Sequence, residues 1–248
     1  MVKIKLKKDA NLKGTTMIEG FSGGTGLVGT IAANYIIEKE KMDPVGHIES
    51  NRFPPVTHIH EGRPQHPIRI YKHPDKNICI LIGELIIPSE ITQELSNKIL
   101  NFAEEQEIEK IISIGGMRKT TGEKNSEKVY GITSKKELKK ELEELDVELI
   151  KEGIAMGVSG VILAKAAEKQ YPAISLLAES RRNLPDPEAA AEIVKKINKI
   201  FETDIDTDEL KEKAKDIEQK TKKLVKRVKK AQKRYKESEE KPISPMYG

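Results

Sequence analysis

Single apolar residues alternate with lysines at Val2, Ile4 and Leu6, and this period of two predicts an opening strand rather than a signal peptide. A second strand over residues 15–20 runs into the glycine-rich stretch Phe21-Ser22-Gly23-Gly24-Thr25-Gly26. The rhythm then changes to that of a helix from about Leu27 to Lys39, with Leu27, Val28, Ile31, Ala32, Tyr35 and Ile36 on one face that a sheet must cover. Strands follow over residues 45–49, 56–60, 68–73 and 78–84, separated by the turn-forming residues 51–55, Glu61-Gly62-Arg63-Pro64 and Pro74-Asp75. Pro88-Ser89 opens a helix to about Glu107, with Ile91, Leu95, Ile99, Leu100 and Phe102 inward. Ile111-Ile112-Ser113-Ile114 is a continuous apolar run, as a strand buried on both faces requires, and it ends at Gly115-Gly116.

Residues 120–128 form a polar insertion. Beyond it the pattern predicts a strand over residues 129–133, a charged helix from Ser134 and the glycine-spaced stretch Gly153-Ile154-Ala155-Met156-Gly157-Val158-Ser159-Gly160. A helix over residues 161–170, a strand over residues 173–177 and a helix over residues 187–201 complete the body. Helices alternating with apolar strands give an α/β class: a mixed, largely parallel sheet flanked by helices, with an antiparallel portion from about His58 to Glu84.

From Asp206 the periodicity changes again. Leu210, Ala214, Ile217, Thr221, Leu224, Val228, Ala231 and Tyr235 recur at alternating steps of four and three, an a/d seam that nothing breaks before Pro242. Such a helix is roughly 50 Å long at 1.5 Å per residue. Ala and Thr at several seam positions predict loose pairing with a neighbour, or a rod held at its base. The organisation is therefore an α/β domain over residues 1–203, a long charged helix over 204–240 and an extended tail over 241–248.

Composition narrows the picture. With no Trp and only 4 % aromatic residues, the core is built from Ile, Leu, Val and Ala. Cys79, the one cysteine, lies within Ile78-Cys79-Ile80-Leu81-Ile82 and reads as a buried, inert thiol, which excludes an intrachain disulfide. No apolar run approaches membrane-spanning length, so the expected location is the cytoplasm. Residues 220–236 hold ten Lys and Arg and no acid; removing those ten from the net charge of +4 leaves −6 for the remainder. A basic helix of this kind can lie along nucleic acid, but it lacks interleaved aromatics, and a solvated or partner-facing face accounts for it better.

Several motifs invite chemistry. Gly24-Thr25-Gly26-Leu27-Val28-Gly29 is a GxGxxG between strand and helix, and Glu49 lies 20 residues beyond the last glycine, as a dinucleotide fingerprint needs. The same glycines also serve a tight turn and close helix–sheet packing, and no catalytic constellation accompanies them. All five histidines, His47, His58, His60, His66 and His73, fall in one stretch. His58 and His60 share a strand face, but spacing supplies no third ligand. Ser159 lacks a nucleophile-elbow pattern and an evident base. The sequence thus predicts no catalytic residue, no metal and no cofactor. The rival readings are a nucleotide- or nucleoside-binding enzyme using the glycine loop and a nucleic-acid binder using the basic helix.

The end of the chain, Pro242-Ile243-Ser244-Pro245-Met246-Tyr247-Gly248, is unlike an ordinary polar tail. Two prolines keep it extended, and an apolar side chain, a ring and a terminal carboxylate suit capture in a narrow pocket with a cation at its base. A hydrophobic residue, a tyrosine and any last residue resemble the motif by which proteasome activators dock between α-subunits. The body, over most of residues 15–200, resembles the archaeal proteasome assembly chaperone family. The resemblance rests on Glu19-Gly20-Phe21 through Gly26-Leu27-Val28-Gly29-Thr30-Ile31-Ala32-Ala33-Asn34-Tyr35, on Phe53-Pro54-Pro55 with His60-Glu61-Gly62-Arg63-Pro64, and on Ile112-Ser113-Ile114-Gly115-Gly116. Ser22-Gly23-Gly24-Thr25 departs from the tighter glycine pattern expected there. The resemblance implies a fold similar to nucleoside phosphorylases without a demonstrated active site. It also implies Met246, Tyr247 and Gly248 as the partner-binding residues. The implied partner is the 20S proteasome α-subunits, met by a homo-oligomer that a paralogous chaperone can join, in either ring assembly or gate opening.

Overall fold

The computed structural model describes residues 1–21, 25–60, 62–118, 128–180 and 185–212, and of the remaining C-terminal segment residues 214–217, 219, 223, 226, 227 and 230. Met246, Tyr247 and Gly248, the loop residues 22–24 and most of the basic run therefore lie outside the described residues.

Among the described residues up to 212, eleven strands and six helices follow one another: β1 (Lys3–Leu6), β2 (Thr16–Phe21), α1 (Val28–Lys39), β3 (Asp43–Glu49), β4 (His58–His60), β5 (Arg63–Gln65), β6 (Ile68–Lys72), β7 (Ile78–Gly83), α2 (Ser89–Glu105), β8 (Lys110–Arg118), β9 (Val129–Thr133), α3 (Lys139–Glu144), β10 (Glu148–Leu149), α4 (Gly157–Glu168), β11 (Ala173–Ser180), α5 (Pro187–Phe201) and α6 (Asp208–Glu212). Nine strands form one sheet in the order β1-β3-β6-β7-β2-β8-β11-β9-β10, and β4 and β5 form a separate hairpin. The central strands β7, β2, β8 and β11 are parallel, and antiparallel pairs flank them on both sides.

Period two sorts the central strands onto two layers. Ile18, Ile80, Ile82, Ile112, Ile114, Ile174 and Leu176 meet α1 and α5, while Met17, Cys79, Leu81 and Ile111 meet α2 and α4. Ser96 on α2 donates to the Val158 carbonyl (3.2 Å), and Lys169 at the far end of α4 reaches Asn101 and Glu104, so these two helices lie side by side along their length.

The structure moves several predicted boundaries. The predicted stop at Gly115-Gly116 is instead mid-strand: β8 keeps its register with β11 as far as Arg118 opposite Ser180. Gly116 is there because the Thr25 carbonyl and the Val28 side chain occupy the space a Cβ would need. The predicted turn Glu61-Gly62-Arg63-Pro64 contains part of β5, and Pro64 fits because it lies on a two-stranded ribbon with an open edge. The strand predicted from Val56 begins at His58. The charged helix predicted from Ser134 is a 3-10 turn at Lys136–Leu138 followed by the six residues of α3. Helix α4 starts at Gly157 rather than Val161, because a glycine at φ 75° turns the chain into it. The two-residue strand β10 is too short to carry a pattern.

Candidate functional site

The residues that begin the C-terminal segment are seated on the body. Ile205 and Leu210 are buried in the layer made by α1 and α5, and Ile217 packs against the same cluster. Asn198 on α5 ties the connection down: its Nδ2 donates to the Ile205 carbonyl (2.9 Å), and its Oδ1 accepts from the Thr203 hydroxyl (2.8 Å) and the Ile205 amide (3.2 Å). At the end of α1, the Tyr35 hydroxyl donates to the Asp206 carbonyl (2.6 Å), and Lys39 pairs with Glu209. Burial pushes the Tyr35 phenol above its ordinary pKa, reinforced by Glu209 and Asp206, so it stays a donor. Lys211 lies 3.6 Å from Glu192 on α5. Residues 214–217, 219, 223, 226, 227 and 230 are helical, and the last five are exposed. The first apolar positions of the predicted seam, Leu210 and Ile217, are thus turned onto the chain's own body. Sequence periodicity reports an apolar stripe but not what covers it, so Asn198 and Glu192 went unmarked and Tyr35 was read only as part of an inward helix face.

Beside this base lies an open cleft of about 640 Å³ lined by Lys128, Val129, Glu143, Asp146, Val147, Glu148, Glu192 and Lys196. Two of its charged side chains, Lys196 and Glu192, are engaged. Lys196 donates to the carbonyls of Leu145 (2.8 Å) and Asp146 (3.0 Å), satisfying the end of α3, and Glu192 meets Lys195 (2.8 Å). Burial lowers the Lys196 pKa, and nearby Lys199 lowers it further.

The described glycines that follow the loop, Gly26 and Gly29, are packed against protein. Gly26 has φ 68°, and a Cβ there would strike the Ser180 hydroxyl; one on Gly29 would strike the Ile114 carbonyl. A Cβ on Gly20 would come 2.7 Å from the Gly29 carbonyl oxygen, so β2, α1 and β8 meet backbone to backbone. Asp186 fastens the loop: its amide donates to the Gly26 carbonyl (2.8 Å), its carboxylate accepts from Ser180 (3.2 Å), and it caps α5 through the Ala189 amide (3.2 Å). Glu49, placed by the fingerprint beside this loop, lies elsewhere. Its strand β3 is separated from β2 by β6 and β7, and its carboxylate pairs with Lys5 (2.8 Å). A ribose held at the β2 loop would be out of its reach.

The histidines separate into three arrangements. His47 and His66 stack with ring centroids 3.8 Å apart. His73 contacts Glu40 (2.8 Å) through Nε2 and accepts the amides of Asp75 and Lys76 at Nδ1. His58 Nδ1 lies 3.4 Å from Glu84, whose carboxylate also holds Arg69 (2.5 Å) and Asn34 (3.1 Å), while His60 is exposed. No group of three or more metal-ligating side chains occurs among the described residues.

Ser159 is accounted for by Glu19. Its hydroxyl donates to Glu19 Oε2 (2.8 Å), and Glu19 is fully buried in the middle of β2, opposite Ser113 on β8. Burial raises the Glu19 pKa; Ser113, Ser159 and the Phe21 amide oppose it without cancelling it. This carboxyl lies in the core, closed off by α4. Cys79 is also buried, with its thiol pushed up to about 12 by burial. No described helix is long and apolar enough to cross a membrane.

Known proteins share this arrangement. The chain is 33 % identical over 202 residues, 82 % of each chain, to an uncharacterized protein of Methanocaldococcus jannaschii. Its fold superposes on Pyrococcus furiosus PbaA, an archaeal homolog of proteasome-assembly chaperone, with TM-score 0.84 and 33 % identity over 93 % of this chain and 99 % of that one. Pyrococcus furiosus PbaB, an archaeal proteasome activator, matches with TM-score 0.74 and 26 % identity over 90 % and 98 % of the two chains. The PAC2 family model spans residues 17–225, from β2 through the seated base and into the helical segment beyond it. A match that takes in the sheet, its glycine packing and the start of the C-terminal segment places the chain in the PAC2 family.

Proposed function

We propose that this chain is a cytoplasmic proteasome-binding chaperone or ATP-independent activator, whose C-terminal tail docks between 20S proteasome α-subunits. The observation that carries the reading is the seated base of the C-terminal segment. A tail can be presented in a set direction only if the helix that bears it is fixed to the body, and Leu210, Ile205, Tyr35 and Asn198 provide that fixing. Membership of the PAC2 family and likeness to PbaA and PbaB supply the class of partner. In this reading the body acts by binding rather than catalysis: its buried acid is closed off under α4, and Gly26 and Gly29 pack against protein atoms.

In this reading Met246 and Tyr247 enter an apolar pocket and the Gly248 carboxylate meets a cation. A homo-oligomer presents several tails at once, each bound tail raising the effective concentration of the next. The test is capture of α-subunits on immobilised protein, with and without the last three residues. Tyr247→Ala and the truncation abolish capture with oligomer mass and melting temperature unchanged. Tyr247→Phe loses only the hydroxyl's share, about 0.5–1.5 kcal/mol. Equal capture by the truncated and full chains would remove the tail from the mechanism.

A further inference from the structure

The turn that joins β6 to β7 is wrapped around a buried imidazole. His73 follows β6 directly and is 6 % exposed, and its own amide closes the turn on the Ile78 carbonyl (2.9 Å). Ring Nδ1 accepts the amides of Asp75 (3.0 Å) and Lys76 (2.9 Å), so it carries a lone pair and no proton. The ring proton is therefore on Nε2, which donates to Oε2 of Glu40 (2.8 Å), the residue just past α1. Both sides of the ring lead to the seated base of the C-terminal segment. Lys76, in the turn, donates from Nζ to the carbonyls of Phe201 and Glu202 (3.0 Å each), at the end of α5 and directly before Thr203. Glu40 follows Tyr35 and Lys39, which hold Asp206 and Glu209. One imidazole thus ties together the two places from which the body grips residues 201–209.

A second proton on this ring has only Nδ1 to go to, and there it faces two N–H donors. Both bonds to the turn are lost, because a protonated nitrogen cannot accept. The Glu40 bond responds in the opposite sense: it becomes a bond between an imidazolium and a carboxylate, shorter and stronger than the neutral one. The ring therefore stays with Glu40, and the turn yields. The charges nearby are close to balanced. Glu40 and Lys41 beyond α1, Asp43 and Lys72 paired across β3 and β6, Asp75 and Lys76 in the turn, and Glu202 beyond α5 make four acids and three bases. Carboxylate and ammonium side chains ordinarily keep their charge between about pH 5.5 and 7.5, a range in which imidazole changes its own.

We propose that His73 is a pH-sensitive latch: a proton taken up at Nδ1 in mildly acid solution frees the turn over residues 74–77 and withdraws Lys76 from the end of α5, loosening the base of the C-terminal segment while the sheet stays folded. The latch lies in the body and operates without a partner. The test follows the full chain between about pH 7.5 and 5.5 by nitrogen NMR of the imidazole and by amide exchange corrected for its intrinsic pH dependence. At the higher pH the Nδ1 resonance is that of an unprotonated nitrogen. At the lower pH the protection of the Asp75 and Lys76 amides falls roughly 10-fold or more, and that of the Thr203 and Ile205 amides falls with it, while β2 and β8 keep theirs. The fall has the same midpoint as the titration of the His73 ring. His73→Asn supplies a carbonyl oxygen that accepts the same two amides and does not titrate, so its protection is alike at both pH values. The other four histidines are common to both proteins, and the difference between the two belongs to His73. If the variant does not fold, the midpoints of ring and turn in the unaltered chain decide, and unequal midpoints count against the latch. Four further results would overturn the proposal: a protonated Nδ1 at the higher pH, turn protection that does not change, a fall shared by His73→Asn, or an open turn with Thr203 and Ile205 unaffected. None of these readings involves α-subunits, so the latch and the docking of the tail can fail separately.

Discussion

Replacing Leu210 by Ala tests whether α6 is a docked appendage or an inseparable part of the core. Leu210 is 1 % exposed, and a Leu→Ala change at such a site costs about 2–5 kcal/mol when the structure has no alternative but to keep the cavity. Here it has one. Residues 204–212 come after every strand of the sheet, and ordering their roughly nine backbones costs about 1–2 kcal/mol each. Against that stand the burial of Ile205 and Leu210, the Asn198 bonds, and the Tyr35 hydrogen bond at about 0.5–1.5 kcal/mol. The net docking energy is a small difference, so losing Leu210 releases α6 before it unfolds the sheet. Global stability then falls by less than the ~2–5 kcal/mol of an enforced cavity. Amide exchange reads this directly: the protection of the Thr203 amide on the Asn198 carbonyl and of the Lys211 amide on the Thr207 carbonyl disappears. Tyr35→Phe moves the same amides part of the way. If urea unfolding showed a loss of about 3 kcal/mol or more with exchange in residues 203–212 unchanged, α6 would unfold only with the core and the seated-base argument would be wrong.

Three further outcomes follow from the body. Glu19 binds its proton more tightly folded than unfolded, so its contribution is fully present below the unfolded pKa near 4.5 and is lost as pH rises toward the folded value. In that window the native chain loses about 1.4 kcal/mol of stability per pH unit relative to Glu19→Gln, and urea melts of the two proteins that stay parallel from pH 4.5 upward would contradict it. Gly29→Ala gains up to ~1 kcal/mol of helix propensity but drives a Cβ into the immovable Ile114 carbonyl, a cost of about 1–3 kcal/mol or more, so denaturant melts show net destabilisation. Cys79, with its thiol pushed up to about 12, resists iodoacetamide in the native protein at pH 8 and reacts once the protein is unfolded; mass spectrometry distinguishes the two.

Helices with local punctuation were legible in the sequence. The helix predicted over residues 187–201 is α5 with those bounds, and the structure shows Asp186 capping it with Pro187 first. The apolar spacing of α1 was sufficient for the same reason: eight of its twelve residues are buried, so the pattern is strong. What could not be read depends on contacts distant in sequence. The glycines at 115 and 116 carry the signature of a strand end, yet pairing with β11 runs the strand through them. Glu49 stands at a fingerprint's distance from Gly29, but the insertion of β6 and β7 between β3 and β2 is a fact of topology. Leu210 and Ile217 have a spacing that fits a partner chain and the chain's own body equally well.

The contact between α1 and the sheet also determines where a pull on the C-terminus would be felt. Gly20, Gly29 and Gly116 bring the start of the helix and the strands backbone to backbone, where nothing can give like a cushion. Tension arriving from the C-terminal side would reach Asp206 and Glu209, cross to Tyr35 and Lys39, and enter α1, whose first turn lies close on the strand backbone. The weak link in that path is the clasp between α6 and the end of α1. A captured tail under strain would peel its own anchor away first, leaving the sheet intact and the clasp free to close again once the strain is released.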